Sequence, residues 1–236
     1  MVYGTSRQPE RVEVTGFELL PLDVCSDESV SACVQAAMER AGHLDVLINN
    51  AGHGMVGFLE ETTIEDAKAI FETNFFGVQC KTTAGLPHMR ARRGGQITNI
   101  SSLAGLIGVP TEGMYAATKF ALEGYTETLW REVKRFNIRV SLVEPSDYDT
   151  PIFLHPATQV IEAYHQMHPQ VIATRAALLR TGPPADAVAH VLARIVERKS
   201  HRLRYPVGKQ KWDVMWKNFL PEAVFEWFAR RTFRLD

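Results

Sequence analysis

The chain has 236 residues, 45% of them hydrophobic and 22% charged, with a net charge of -1. At about 150 residues per domain this length suits a single α/β domain, and the composition excludes disordered, collagen-like and strongly nucleic-acid-binding classes. Three cysteines, Cys25, Cys33 and Cys80, show neither CxxC nor zinc-ligand spacing, so they read as buried small hydrophobes of a reducing, cytoplasmic compartment.

No apolar run approaches the roughly 18 residues of a spanning helix, and Met1 to Arg7 lack the basic and apolar regions of a signal peptide. In chain order, Val2 to Thr5 and Glu18 to Asp23 are short strand candidates. Ser26 is the predicted N-cap of a helix with apolar positions Val30, Cys33, Val34, Ala37, Met38 and Ala41, stopped by Gly42. Leu44 to Asn49 fits a strand buried on both faces. Gly52 to Gly57 spells GxGxxG, but no helix opens at once and no acidic residue closes a next strand about 20 residues on, so it reads as a loop. Thr63 to Asp66 forms a capping box for a helix running through Ile70, Phe71 and Val78. Gly95 to Ser101 and Ile138 to Val143 are strands, Met114 to about Phe136 is a long helix, and Ala185 to Arg198 is another. This βαβα order predicts a parallel sheet covered by helices.

Two features stand apart. Glu162, His165 and His168 fall three residues apart and invite a metal reading, but nothing supplies a third histidine, so they read as a solvated helix face. From residue 202 the chain turns aromatic and basic, with Trp212, Trp216, Phe219, Phe225, Trp227, Phe228 and Phe233 beside Lys211, Lys217, Arg230, Arg231 and Arg234. Such a tail either makes peripheral membrane contact or packs over a cleft or subunit interface; Pro221, dividing it into two short helices, favours packing.

Chemistry enters at Tyr115 and Lys119. Four residues apart on a helix, they share one face, and an ammonium beside a phenol favours the phenolate, which a tyrosine acid/base needs. On its own the pair is usually just a half-buried ring beside a solvated charge. Its setting is more telling: Asn49-Asn50-Ala51-Gly52, then Asn74, then Ser102 at a strand end, thirteen residues before Tyr115. In that order these elements resemble the short-chain dehydrogenase/reductase family of classical type, and Tyr115 to Gly124 is most similar to its hydroxysteroid and retinol dehydrogenase side. The resemblance runs from Val2 to about Val207.

The resemblance implies one Rossmann-like, doubly wound, three-layer domain over 1–236, with a cofactor and catalytic core at 1–150, a substrate lid at 151–182 and the tail at 202–236. It implies that Tyr115 is the general acid/base, that Lys119 lowers its pKa and holds the nicotinamide ribose, that Ser102 (not Ser101) bonds the substrate oxygen, and that Asn74 anchors a relay water. Cofactor contacts carried over are Ser6, Arg7, Asp23, Val24, Asn50, Ala51, Gly52, Tyr115, Lys119, Pro145 and Thr150. Arg7 sits where a basic residue favours NADP(H) over NAD(H). The partners implied are a small apolar alcohol or carbonyl compound, for which Tyr164, Met167, Val171 and Ile172 suit the lid, and further copies of the chain in a homo-oligomer. Two departures stand out. The family's first strand and TGxxxGxG turn have no counterpart before Val2, which would leave two unpaired edges in the sheet, so the second reading is a truncated, catalytically impaired interaction or membrane-surface protein. Ser146 also replaces a family glycine after Pro145, a steric cost if φ is positive there.

Overall fold

The computed structural model describes residues 1–150, 152, 154–198, 202–209, 214, 217 and 219–233. Phe153, Lys211, Trp212, Trp216 and Arg234 lie outside the described residues, as do the side chains of Phe228 and Phe233.

Among the described residues every strand pair is parallel. β1 (Tyr3–Ser6) pairs with β2 (Glu18–Pro21), while β3 (Val46–Asn49), β5 (Gly95–Ile100), β6 (Ile138–Pro145) and β8 (Arg204–Val207) form a second ladder in the order β3-β5-β6-β8. Among the described residues no ladder joins β1 to β3. β4 (Gly54–Val56), inside the loop that spells GxGxxG, pairs with β7 (Leu154–Pro156) and draws the segment after β6 back over the strand ends. The sequence reading misses this pair because three residues carry no legible period.

Helices form where capping and periodicity agree. α1 (Asp27–Ala41) is capped by Ser26, whose side chain accepts from Ser29 N–H, and stops at Gly42 with φ 74°. α2 (Ile64–Phe71) opens on the Thr63/Asp66 capping box. The predicted run through Val78 is then broken by a π-helical turn, Glu72–Phe76, before α3 (Gly77–Arg92). α4 (Gly113–Val133), α5 (His168–Arg180), α6 (Asp186–Glu197) and α7 (Glu222–Phe233) follow. One core of Met89, Ile97, Leu129, Val133, Ile138 and Val140 locks α3 and α4 onto β5 and β6. A second, of Leu20, Leu22, Val30 and Cys33, seats α1 on β2. Of the cysteines only Cys33 is buried. Cys25, in the turn before α1, is exposed beside Thr73, and Cys80, on α3, is half-buried with its thiol donating to Asp27 Oδ1 at 3.0 Å.

No helix among the described residues is long and apolar enough to cross a membrane. In the tail, Val214 is buried and Lys217 Nζ donates to Leu106 O at 3.0 Å, so this part packs onto the domain beside the loop after β5.

Candidate active site

Parallel strands end on a common edge, and in open α/β sheets ligands bind there. β5 delivers Ser101 and Ser102 to that edge. Ser102 caps a short 3₁₀ turn, its Oγ accepting from Ala104 N–H at 3.2 Å and donating to Pro145 O at a long 3.5 Å. α4 begins beside this turn, placing Tyr115 one turn into the helix and Lys119 on the next, both nearly inaccessible to solvent. Lys119 Nζ lies 5.6 Å from the centre of the Tyr115 ring and donates to Ile100 O at 2.9 Å. Met55, Ile70, Ala104 and Ala116 pack around the tyrosine.

The electrostatics differ from the expected lowering of the phenol. Burial first, and the Glu112 charge second, push Tyr115 up to about 12, with a Ser102 hydrogen bond acting in the opposite direction. Burial likewise pushes Lys119 down to about 8, although the Glu123 charge opposes it. The ammonium is committed to the Ile100 carbonyl, and desolvation of the phenol outweighs what it offers.

Asn74 sits in the π-helical turn and is 1% exposed. Its Nδ2 donates to His53 O at 2.9 Å and Thr118 Oγ1 at 3.3 Å, and its Oδ1 accepts from His53 N–H at 3.0 Å. The widened turn therefore turns one side chain inward to tie the 50–53 loop to α4, a use to which π-bulges are often put. A Cβ on Gly52 would lie 3.0 Å from Asn74 Oδ1 and 3.9 Å from Lys119 Nζ, so the backbone of this loop closes directly on the lysine. Below it, Asn49 Nδ2 donates to Asn99 Oδ1 at 2.8 Å and Asn99 Nδ2 to Thr126 Oγ1 at 2.8 Å, a buried relay that fixes the ends of β3 and β5 against α4.

The remaining predicted contacts lie along the same edge. Asn50, Ala51, Gly52, Arg7 and Asp23 are exposed after their strands, and Ser6 and Val24 are half-buried. Arg7 adds positive potential at His53, so it faces the 50–53 loop across the edge. Asp23 Oδ1 accepts from Cys25 N–H at 3.0 Å, which shapes that turn. Pro145 meets Ser102, while Thr150 is exposed further along. For a nicotinamide cofactor the donor set fits at both ends: Lys119 keeps protons for a ribose hydroxyl, and Arg7 suits a phosphate. No Gly-rich turn opening a helix occurs among the described residues.

The sequence reading misses the charges that hold α5 to the rest of the domain. Arg175 of α5 donates from Nε to Glu112 Oε1 at 2.7 Å and also pairs with Asp147, beside Tyr115. His168 pairs at 2.7 Å with Glu61, a carboxylate with 0% exposure, rather than joining Glu162 and His165; among the described residues no group could hold a metal. Tyr164 stacks on Phe58 at 4.3 Å and donates to Glu60, and Val171 is buried, whereas Ile172 is exposed, so the expected apolar residues do not share one face. A glutamate just before a helix is an ordinary sequence feature, and nothing local indicates a partner 63 residues away.

The short chain dehydrogenase family model matches residues 6–159. The chain is 36% identical to 3-ketodihydrosphingosine reductase of Bacteroides thetaiotaomicron over 98% of its own length and 87% of that protein's. It is 51% identical to human retinol dehydrogenase 8 over 52% of its length and 39% of that protein's. Among solved structures, a short-chain dehydrogenase from Streptomyces avermitilis superposes with a TM-score of 0.81 at 31% identity, covering 98% of this chain and 89% of that one. A Burkholderia phymatum short chain dehydrogenase/reductase in complex with NAD gives 0.70 at 27% identity, covering 86% and 76%. A Burkholderia cenocepacia gluconate 5-dehydrogenase in complex with NADP and tartrate gives 0.55 at 30%, covering 57% and 52%.

Proposed function

Since the chain belongs to the short-chain dehydrogenase family, and so is a nicotinamide-dependent oxidoreductase acting on CH–OH groups, we propose that it uses NADP(H) to interconvert an apolar alcohol and its carbonyl compound, a secondary alcohol with its ketone or a primary one with its aldehyde, with Tyr115 as the acid/base. The observation that carries this reading is the buried Tyr115 phenol, with Lys119 behind its ring and Ser102 at the adjoining strand end, at the carboxyl edge of a parallel sheet. When bound, the cofactor supplies or accepts the hydride. In reduction the Tyr115 O–H bond breaks and its proton passes to the carbonyl oxygen, the electron pair remaining on the phenolate until water restores the proton. Burial and the Glu112 charge, which push the phenol up to about 12, keep its proton in place at neutral pH, so that in reduction Tyr115 enters the step as the acid.

Ser102 helps at the same oxygen. Its present bond to Pro145 O is long, so its hydroxyl can turn to the substrate as negative charge builds there, which stabilises the transition state more than the ground state. Lys119 and Asn74 act from behind: the lysine holds a ribose hydroxyl, and Asn74 keeps the 50–53 loop closed on it and offers Oδ1 to a relay water. Arg7 favours the 2′-phosphate, with Ser6, Asp23, Val24, Asn50 and Ala51 along the adenosine and Pro145 and Thr150 at the nicotinamide. The relatives named for ketodihydrosphingosine and retinol, both long apolar molecules, support a lipid-like substrate.

The test pairs cofactor fluorescence with turnover. NADPH titrates the parent and Tyr115→Phe with affinities within about twofold, while reduction of all-trans-retinal or 3-ketodihydrosphingosine falls at least about a hundredfold in the variant. A Tyr115→Phe chain that retains turnover overturns the role, and a parent that does not bind NADPH overturns the cofactor assignment.

A further inference from the structure

We propose that Arg175, carried by the lid helix α5, is a positioning residue for the reaction: it bridges the Glu112 and Asp147 carboxylates and so fixes the lid, the entrance to α4 and the loop after β6 around the Tyr115 phenol. The inference rests on the reading of Tyr115 given above and adds to it a residue and a role.

The three charged side chains are well withdrawn from water, with exposures of 13% for Arg175, 2% for Glu112 and 20% for Asp147. Exposed ion pairs contribute little, but an arrangement this buried is costly to break, because removing one partner strands the others without solvent. Its reach in sequence is what makes it a clasp: Arg175 is 63 residues from Glu112 and 28 from Asp147. The two bonds leave from different nitrogens of one planar guanidinium, Nε to Glu112 and Nη1 to Asp147, a fork that lysine cannot reproduce.

Two further features show that both ends of the clasp are built. Glu112 is presented by Thr111, a β-branched residue in the left-handed region at φ 63°, held there by a 2.8 Å bond from Gly57 N–H to its carbonyl. At the far end of α5, a Cβ on Gly182 would lie 2.7 Å from Asp147 O and 2.8 Å from Tyr148 Cα, and Asp149 N–H donates to Pro183 O at 3.1 Å. The lid helix is thus seated on the 147–149 backbone as well as on the Asp147 carboxylate.

The charges around the phenol give the clasp a chemical consequence. Glu112 precedes it on its own helix and Lys119 follows; Ser102 faces it from the turn after β5, Asp147 from the loop after β6, and Arg175 from the lid. Glu112 and Asp147 favour the protonated phenol, while Arg175 and Ser102 favour the phenolate. Two carboxylates face two cations, Arg175 and Lys119, so the site carries no net charge; burial keeps the proton on Tyr115, and the clasp fixes where the Glu112 and Asp147 charges lie relative to the phenol.

The experiment reads lid and phenol separately and needs no turnover. Tyrosinate absorbance of each chain, less that of the same chain carrying Tyr115→Phe, isolates the Tyr115 titration, and hydrogen exchange follows α5. We expect Glu112→Gln to bring the Tyr115 titration to lower pH. In Arg175→Gln α5 should exchange at least about tenfold faster while α4 keeps its protection, and Arg175→Lys should restore less than half of the difference. With NADPH and all-trans-retinal, Arg175→Gln should lower kcat more than it weakens NADPH binding. If α5 exchange is unchanged in Arg175→Gln, or the Tyr115 titration is unmoved in Glu112→Gln, the inference is overturned; should Arg175→Gln fail to fold, the Glu112→Gln titration alone decides. Retained turnover in Tyr115→Phe would instead remove the functional reading beneath it.

Discussion

Gly208, just past β8, holds φ 113°, and a Cβ built on it would lie 1.8 Å from Ser146 Oγ. The sequence places a serine where the family has glycine and so leads one to expect strain at 146, yet among the described residues positive φ outside glycine occurs at Arg93, Thr111 and Asn137, not at Ser146. Ser146 instead joins the sheet edge, its N–H donating to Val207 O at 2.8 Å, and the need for a glycine falls on the neighbouring strand. Gly208→Ala therefore combines a disfavoured backbone conformation with a contact that rotating the Ser146 hydroxyl relieves only in part, since Ser146 Cβ stays 2.8 Å away, at a cost of about 1–3 kcal/mol. For a chain of this size the melting temperature should fall by about 2–4 °C per kcal/mol. Ser146→Gly added to Gly208→Ala should return the part due to the contact but not the part due to φ. A Gly208→Ala chain melting with the parent would mean that this corner is not built this way.

Elements with their own punctuation were legible before any coordinate: α1 between Ser26 and Gly42, α2 from Thr63, and β5 and β6 as apolar runs between turns. What was not legible depends on distant partners. The helical pattern runs unbroken across residues 72–76, and the π-turn there follows from Asn74 reaching His53 and Thr118 rather than from local propensity. Likewise Asn74, Ser102, Tyr115 and Lys119 could be named because their order resembles a family pattern, whereas Arg175 could not, since its two partners come from other parts of the chain. The buried Asn49-Asn99-Thr126 relay is a further case, joining β3, β5 and α4 through side chains that in sequence are ordinary polar residues. Thr126→Val keeps the shape and leaves the Asn99 amide without its 2.8 Å acceptor in a site with 0% exposure. That change should cost about 1–3 kcal/mol, visible as a lower melting temperature with cofactor-free protein; an unchanged melt would mean that the relay does not brace the sheet.

Across the whole molecule, acid and alkali act on different seams. The 158–168 segment is held to the 58–66 segment by carboxylates: burial works against Glu61, but bonds from His168, Ile161 N–H and Phe58 N–H together hold its pKa below the usual value, and Thr158 does the same for Asp66. Groups with depressed folded pKa values contribute stability that is present above the unfolded value and lost as pH falls through the folded one, so acid should loosen this segment. The other seam joins the far edge of the sheet to α4, where Arg204 of β8 donates to Glu123 at 3.0 Å and Glu127 at 2.8 Å and lies 3.4 Å from Glu144 of β6. Glu144 is 1% exposed, and burial, then the Glu123 charge, pushes it up to about 8 despite Arg204. A carboxyl raised in this way binds its proton more tightly folded than unfolded. Its stabilisation is complete below the ordinary carboxylate pKa and lost as pH rises through about 8. The melting temperature of the parent should therefore decline from about pH 5 to pH 8, by the equivalent of about 1 kcal/mol or more. Glu144→Gln, neutral at every pH and nearly the same shape, should flatten that decline while leaving the acid limb in place. If the variant follows the parent across the whole range, the seam at β6, β8 and α4 does not carry the pH dependence, and the proton is held elsewhere.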